Sequence, residues 1–307
     1  MLQHKQSHMT TDRRTFLKSA ALLPAALSAA PSLEEPKADV AGLSSRVKLS
    51  LNAYSFNAAL RDGSWDLMKL IDFCAETGFD AIDPTGYYFP NYPESPGEKY
   101  LYKFKRKAYL SGLDISGTGV RNDFTNPDKS VRDEGVKLVK RWIDISVQMG
   151  CPLVRVFPGR KLAEGVKEKK ATKWVVEHLK ECADYAEKKG TLLAMQNHNE
   201  FVRNSDQIEE ILESVNSEWL GLHLDIGSFE DRDPYNEIEK VIKYAFTWQV
   251  KEQVFEDGQK VKTDFKKLMR IIEKSDYRGY LPLETLGPGD PVEKVRALYK
   301  EVRGLVR

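Results

Sequence analysis

Short apolar segments alternate with amphipathic segments from residue 46 to the end of the chain. Eight of the apolar segments have the length and the aliphatic or β-branched content of buried strands. Between them, apolar residues recur every three or four positions, as in Leu138, Trp142, Ile145 and Met149, which is typical of a helix with one buried face. The predicted strands are 47–54, 81–83, 114–120, 153–157, 192–196, 221–225, 246–250 and 280–284.

This alternation predicts a parallel sheet, because a helix must cross over between two parallel strands. Glycines 78, 112, 150, 190 and 279 stand where predicted helices end, in positions suited to a left-handed turn. A glycine-rich phosphate turn after the first strand, typical of open doubly wound sheets, is missing from the sequence. We therefore predict a single-domain (β/α)8 TIM barrel over residues 46–307, since one such barrel takes about 250 residues.

Residues 1–30 have the layout of an export signal. The paired Arg13 and Arg14 precede Phe16, and a run of small apolar residues over 19–30 ends at Ala30. This order resembles the twin-arginine signal peptide of bacteria, which predicts cleavage after Ala30, a linker over 31–45 and a periplasmic protein. The run is too short to span a bilayer, so no membrane insertion is expected after cleavage. An ordinary flexible terminus is the alternative.

Composition and charge exclude several classes of protein. Hydrophobic residues make up 41% and charged residues 30% of the chain, which excludes a disordered protein. With 47 basic and 46 acidic residues, the chain lacks the positive field that nucleic-acid binding requires. Cys74, Cys151 and Cys182 form no CxxC pair, which argues against a disulfide framework, a zinc ribbon and redox chemistry.

Polar residues collect at the ends of the last four predicted strands. A TIM barrel carries its chemistry at the carboxyl ends of its strands, and side chains two positions apart on a strand point the same way. We therefore expect these residues to surround one pocket, with Arg155 of the fourth strand and Asp83 of the second facing the same mouth. The candidates are Gln196 and His198, His223 and Asp225, Gln249 and Lys251, and Glu284.

Two short motifs at these ends carry a resemblance. Residues 222–227 (LHLDIG) and 281–284 (LPLE) resemble the xylose isomerase-like barrel family of sugar phosphate isomerases and epimerases, a likeness that runs from about Val47 to the C-terminus. The resemblance implies a divalent metal, often manganese or magnesium, held by a glutamate, an aspartate, a histidine and a glutamate on strands five to eight. Asp225 and Glu284 match that pattern. Gln196 replaces the first glutamate, and Gln249 replaces the histidine.

These replacements weaken the predicted metal site. Gln196, Asp225, Gln249 and Glu284 together supply two negative charges, whereas the family's four ligands supply three. Oxygen ligands suit hard cations such as Mg²⁺, Ca²⁺ or Mn²⁺ better than zinc or copper, unless a nearby histidine adds a nitrogen ligand. A site without metal is the alternative.

The same replacements restrict the mechanism. Epimerases of the family move a proton between two glutamates on strands five and eight, and Gln196 cannot take a proton. Glu284 remains as the carboxylate base, with His198, His223 and Lys251 as candidate catalytic partners. A single base is sufficient for isomerisation or for β-elimination next to a ketone.

Further residues are candidates for binding the substrate: Tyr54, Asp83, Tyr87 and Arg155. Tyr87 belongs to an aromatic segment over 84–97 that could stack on a sugar, cover the barrel or pack on a second subunit of a homo-oligomer. His178, on a charged helix, is predicted to lie on the surface.

The sequence therefore predicts an isomerase or epimerase that acts on a small-molecule sugar or keto-sugar by proton abstraction beside a carbonyl. An unphosphorylated substrate is expected, because the predicted periplasmic location offers few sugar phosphates. Two alternatives remain open: a keto-glycoside lyase that works by β-elimination, and a carbohydrate-binding protein without activity. An endonuclease is disfavoured, because the chain lacks a basic groove and a histidine-rich zinc set.

Overall fold

Parallel strands form a ring at the centre of the molecule. The structure is a computed structural model and describes residues 47–306. The strands of the ring are β1 Val47–Asn52, β2 Ala81–Asp83, β3 Asp114–Ile115, β4 Thr118–Gly119, β5 Leu153–Val156, β6 Leu192–Gln196, β7 Leu220–Asp225, β8 Ala245–Lys251 and β11 Gly279–Glu284. Their order in the sheet is β3-β2-β1-β11-β8-β7-β6-β5-β4.

The short strands β3 and β4 together make the third strand of the ring. The amide of Ser116, between them, donates to the carbonyl of Ile82 at 3.0 Å. Beyond it, Thr85 pairs with Gly119 in a parallel bridge. These contacts join the two ends of the sheet, so the predicted (β/α)8 TIM barrel is confirmed. The difference from the prediction is that the segment 114–120 is interrupted in its middle.

Helices surround the ring. Several begin at an aspartate or asparagine whose side chain accepts an amide hydrogen bond, as at Asp66, Asn204 and Asp264. Gly78 and Gly150 end helices with φ of 92° and 74°, where a residue with a side chain would be strained. The helices are α1 Asn57–Asp62, α2 Leu67–Thr77, α3 Glu98–Leu110, α4 Lys129–Met149, α5 Glu168–Lys189, α6 Ser205–Val215, α7 Pro234–Val241, α8 Phe265–Lys274 and α9 Pro291–Arg303. None of these helices has both the length and the apolar content needed to cross a bilayer.

The interior of the ring is more polar than its outer face. On β1, Leu49 and Leu51 belong to the hydrophobic core, whereas Ser50 is buried against Ser116 with 2.7 Å between the two hydroxyl oxygens. The same alternation places Asn52 next to the side chains of Asp83 on β2 and Gln249 on β8. Polar groups therefore line the barrel below its carboxyl end, where they can support a charged site.

Two further features differ from the sequence predictions. A hairpin of β9 Gln253–Glu256 and β10 Gln259–Lys262 lies between β8 and α8, around Asp257 and Gly258, both with positive φ. The prediction that His178 lies on the surface was wrong, because its ring is buried and stacks on Phe124 at 5.4 Å. The predicted signal peptide and linker, residues 1–45, lie outside the described residues and remain predictions.

Candidate active site

The ends of four neighbouring strands bring five polar side chains into one hydrogen-bonded cluster. Lys251 places its ammonium nitrogen 2.8 Å from Asp225 Oδ2 and 3.5 Å from Glu284 Oε2. The amide of Gln196 donates to Asp225 at 2.8 Å, and the amide of Gln249 donates to Glu284 at 2.5 Å. The four side chains predicted as metal ligands thus lie together, and a lysine connects their two carboxylates.

Strand register explains why these residues meet. Asp225 pairs with Gln249, and Glu284 pairs with Lys251, across parallel neighbours. Gln249 and Lys251 are two positions apart on β8, so both side chains point to the interior of the barrel. The cluster therefore follows from ordinary strand geometry at the carboxyl end of the ring.

The two carboxylates of the cluster differ in their proton affinity. Burial alone would raise the pKa of Asp225, but Lys251, His198 and Gln196 together outweigh burial and hold that pKa below its usual value. Burial raises the pKa of Glu284, and Lys251 offsets this only in part. The two carboxylates in turn raise the pKa of Lys251 against the effect of its burial. Asp225 is thus a fixed counter-ion, whereas Glu284 is the carboxylate suited to accept a proton.

A second layer of contacts orients Gln249. Its Oε1 accepts from Arg155 Nη1 at 2.9 Å and lies 2.9 Å from His223 Nε2, which leaves its amide nitrogen to face Glu284. His223 is fully buried, and burial together with Arg155 lowers its pKa to about 3, so its ring is neutral. Gly119 leaves room for the guanidinium, since a Cβ there would lie 2.7 Å from Arg155 Nε.

A cleft of about 160 Å³ opens above the cluster. It adjoins a second cavity of about 210 Å³ beside the β9–β10 hairpin. His198, Lys251, Glu284 and Leu286 line both cavities, so the ammonium and the raised-pKa carboxylate border the open space. A concave space with converging polar groups is the usual form of a small-molecule site.

Six of the predicted catalytic and substrate-binding residues line the cleft, and two do not. The six are Tyr54, Tyr87, Arg155, His198, Lys251 and Glu284. Asp83 is buried below the cleft, where its Oδ2 lies 3.4 Å from the amide nitrogen of Asn52. His223 is likewise enclosed and contacts Gln249. Both side chains can influence a substrate only through their neighbours.

His198 has an environment of its own. Its Nδ1 lies 3.3 Å from Glu200 Oε2, and its ring packs edge-on against Phe157 at 5.4 Å. Burial lowers its pKa, although the nearby carboxylates oppose that effect. His198 is therefore neutral near pH 7 and can accept a proton in the cleft.

Sequence analysis missed Arg121 and Phe157 in the wall of the cleft. Arg121 forms an ion pair with Glu200 at 2.9 Å, and its guanidinium carbon lies 5.0 Å from the centre of the Phe157 ring. Arg121 directly follows the third strand of the barrel, which is the position that identified the other candidates. The search for polar residues at the carboxyl ends of strands was complete only for the last four strands.

The donor set of the cluster does not fit a divalent metal. Gln196 and Gln249 turn their amide nitrogens towards the carboxylates, and the ammonium of Lys251 stands between those carboxylates. A dication about 4 Å from that ammonium would be repelled by about 8 kcal/mol at an effective dielectric constant of about 20. Within residues 47–306, no group of three or more histidine, cysteine, aspartate or glutamate side chains has a metal-binding arrangement.

The fold is shared with solved structures of low sequence identity. D-psicose 3-epimerase with D-tagatose from Clostridium cellulolyticum H10 superposes with a TM-score of 0.70 and 14% identity, covering 85% of this chain and 99% of that one. The 3-keto-D-glucoside 4-epimerase YcjR from E. coli gives 0.69 and 13%, covering 84% and 99%. The IolI protein with a bound zinc atom gives 0.69 and 18%, covering 84% and 97%.

A comparison with curated proteins gave no match. The family profile described as xylose isomerase-like TIM barrel matches residues 71–303, which is most of the chain. Its span begins in α2 and ends in α9, so it takes in the strand ends of the cluster. The chain therefore belongs to the xylose isomerase-like TIM barrel family, as its two strand-end motifs implied.

Proposed function

We propose that the protein is a sugar isomerase or epimerase that moves a proton at the carbon next to the carbonyl of a sugar or keto-sugar. The observation that carries the proposal is the position of Glu284. This carboxylate lies in the wall of the cleft, its pKa is raised by burial, and a lysine cation lies beside it. A base with raised proton affinity next to a cation is the arrangement that proton abstraction from a carbon acid requires.

The reaction follows from these two groups. Lys251 donates a hydrogen bond to the carbonyl oxygen of the substrate, and the carboxylate of Glu284 takes the proton from the adjacent carbon. The electron pair of the broken C–H bond moves to the carbonyl oxygen and forms an enediolate, whose negative charge the ammonium stabilises. Glu284 then returns the proton to the former carbonyl carbon, while the hydroxyl proton on the other oxygen of the enediolate passes to the former carbonyl oxygen. The carbonyl has then moved by one carbon, which completes an isomerisation with a single base.

The identity of Gln196 favours one-base chemistry. A second carboxylate at this position would receive a proton on the opposite face of the carbon, but an amide cannot. Gln196 is instead engaged with Asp225. Inversion with two groups would need His198, which also lines the cleft and has a lowered pKa.

Other features of the cleft agree with an unphosphorylated carbohydrate. Tyr54, Tyr87 and Phe157 supply aromatic surface, on which sugar rings stack. The predicted export signal supports a substrate found outside the cytoplasm. Two structures with the same fold are named as epimerases, one of a ketose and one of a 3-keto-glucoside. Keto-sugars and keto-glucosides are therefore the first compounds to try.

The direct test is isotope exchange. The protein is incubated in D₂O with free ketoses, aldoses and 3-keto-glucosides, and proton NMR follows the carbon next to the carbonyl. We expect deuterium at that carbon together with a new sugar, and we expect Glu284→Gln to abolish both. The matched control is Glu134→Gln on the outer face of α4, which carries an exposed carboxylate.

Two outcomes would contradict the proposal. Release of the group bonded to the neighbouring carbon would identify a β-eliminating lyase. Calorimetric binding of a sugar without any exchange across the panel would identify a carbohydrate-binding protein.

A further inference from the structure

The family resemblance implies a divalent metal at the four strand ends, but this chain carries a lysine among them. We propose that the ammonium group of Lys251 takes the place of that metal, so that the protein has a permanent cation site of its own and needs no metal ion. The cation site stands on the geometry alone. Its part in the reaction rests on the proposed function.

The ammonium of Lys251 lies beside both carboxylates of the cluster. Its nitrogen lies 2.8 Å from Asp225 and 3.5 Å from Glu284, the two carboxylates that match the family's ligands. The side chain of Lys251 is only 14% exposed, and Asp225 is fully buried. A buried carboxylate pair needs a compensating positive charge, and Lys251 supplies it from within the chain.

The two departures from the family's ligand set agree with a permanent ammonium. Gln196 and Gln249 stand where the resemblance implies a glutamate and a histidine, and each donates an N–H to one of the carboxylates. Loss of a carboxylate reduces the negative charge, which suits a cation of charge one. Amide donors can bind carboxylates directly, whereas a metal needs lone pairs directed at it. The replacements and the lysine therefore form one consistent set.

The backbone leaves a space for the side chain of Lys251. A Cβ on Gly227 would lie 2.6 Å from Lys251 Cδ, so only glycine leaves the lysine stem its present path. The amide of Gly227 also donates to Asp225 Oδ1 at 3.0 Å. Behind the lysine, the hydroxyl of Thr263 donates to the carbonyl of Lys251 at 2.8 Å. Gly227 thus borders the stem of the lysine, and Thr263 holds its backbone carbonyl.

The exchange of a metal for an ammonium changes how the site can act. An ammonium offers three N–H donors. Asp225 accepts one of them at 2.8 Å and Glu284 lies 3.5 Å away, so a donor remains for a carbonyl oxygen in the cleft. The cation cannot be removed by a chelator or replaced by another metal. We therefore expect activity that is independent of metal supply.

The test on the unmodified protein uses metal binding and thermal stability. Elemental analysis after dialysis, Mn²⁺ titration by calorimetry and melting with and without EDTA are measured on the full chain. We expect less than one metal per chain, no Mn²⁺ binding at millimolar concentration and no change of melting temperature with EDTA. One tightly bound metal per chain whose removal lowers the melting temperature would overturn the proposal. These measurements need no substrate, so they stand even if the proposed reaction is absent.

The variant test removes the ammonium. Lys251→Ala leaves two carboxylates without their cation, so we expect it to bind Mn²⁺ where the wild type does not, and to exchange deuterium at least a hundredfold more slowly. Lys137→Ala, which removes an exposed lysine of α4, serves as the control and should resemble the wild type in both measurements. A folded Lys251→Ala protein with no gain of Mn²⁺ binding, or with wild-type exchange, would also contradict the proposal. If that variant does not fold, the measurements on the wild type decide.

Discussion

Two buried glutamates of this molecule lie beside lysines, yet their pKa values are shifted in opposite directions. Glu237, on α7, accepts from the amide of Ser205 at 2.7 Å and from Lys240 at 2.8 Å, and Arg232 lies 3.6 Å away. These contacts outweigh its burial and lower its pKa. Glu284 has the Gln249 amide and a lysine at 3.5 Å, and its pKa is raised by burial.

The difference shows that burial by itself does not produce a base. Donors surround both oxygens of Glu237, which makes it a structural anion that fixes the start of α6 at Ser205. The donors to Glu284 contact Oε2, and the same carboxylate lines the cleft. A carboxylate is suited to proton transfer when its partners stabilise the anion incompletely and leave it accessible to a substrate.

The largest expected effect separates the two glutamates by activity. Glu284→Gln should lower turnover by about 10²- to 10⁴-fold, because it removes the proton acceptor. Glu237→Gln should leave turnover per folded molecule unchanged. Steady-state kinetics on the substrate found by isotope exchange measures both. Equal losses of turnover in the two variants would contradict the assignment of Glu284 as the base and Glu237 as a structural anion.

For stability, the expected order is reversed: the substitution at Glu237 should have a larger effect than the one at Glu284. Glu237→Gln should lower the free energy of unfolding by about 1–3 kcal/mol, because charged hydrogen bonds to a buried group are lost. Glu284→Gln should lower the free energy of unfolding by less, or even raise it, because it replaces a carboxylate that burial disfavours. Urea unfolding monitored by circular dichroism gives both values. A larger destabilisation at Glu284 would contradict this assignment.

The third prediction uses pH, with opposite signs at the two sites. Below its raised pKa and down to the ordinary 4.5, folded Glu284 holds a proton that the unfolded chain has released. The wild type should therefore gain stability relative to Glu284→Gln as pH falls through that window, at up to about 1.4 kcal/mol per pH unit.

Glu237 behaves in the opposite way, because its folded pKa lies below 4.5. The wild type should lose stability relative to Glu237→Gln as pH falls from 4.5 through that lowered pKa. Unfolding free energies at a series of pH values test both slopes. Slopes of the same sign for the two pairs would show that one of the pKa shifts is assigned in the wrong direction.

The smallest effect is expected at Gly227. Gly227→Ala places a methyl group against the stem of Lys251 and should force that side chain out of its preferred rotamer. The cost of about 0.5–1.5 kcal/mol predicts a loss of activity of about 2- to 10-fold. The control is Ala163→Gly, which changes an exposed loop position. A second glycine-to-alanine change, Gly165→Ala, is unsuitable, because Gly165 has a φ of 76°, at which alanine is strained. An unchanged rate in Gly227→Ala would show that the lysine adjusts without cost.

The strands of the barrel could be predicted because their signal is local. A buried parallel strand is a short apolar run, and the bounds of β2 and β6 match the prediction to the residue. The hairpin β9–β10 was missed although Asp257 and Gly258 are a typical hairpin turn, because its strands carry mostly polar residues. His178 was misplaced because its helix is charged on several faces, and only packing against Phe124 reveals the buried one.

The candidate site was predictable in its membership and less so in its internal arrangement. Alternation along the strands grouped Gln196, Asp225, Gln249 and Glu284, which the structure brings into one cluster. Strand position did not indicate depth, so Asp83 was predicted to bind the substrate although its side chain is buried and does not line the cleft. Lys251 was only one of several candidate catalytic partners of Glu284, because a sequence does not specify which charged side chains contact each other.

By itself, the sequence determined the barrel, the family and the end of the barrel at which polar groups gather. These properties depend on the spacing of residues along one chain, and that spacing is readable without coordinates. The tertiary structure alone decided that Lys251 joins Asp225 to Glu284 and that Glu284 is the carboxylate with the raised pKa. The physical reason is that burial and distance depend on how eight strands close into a ring, which brings together residues far apart in the chain.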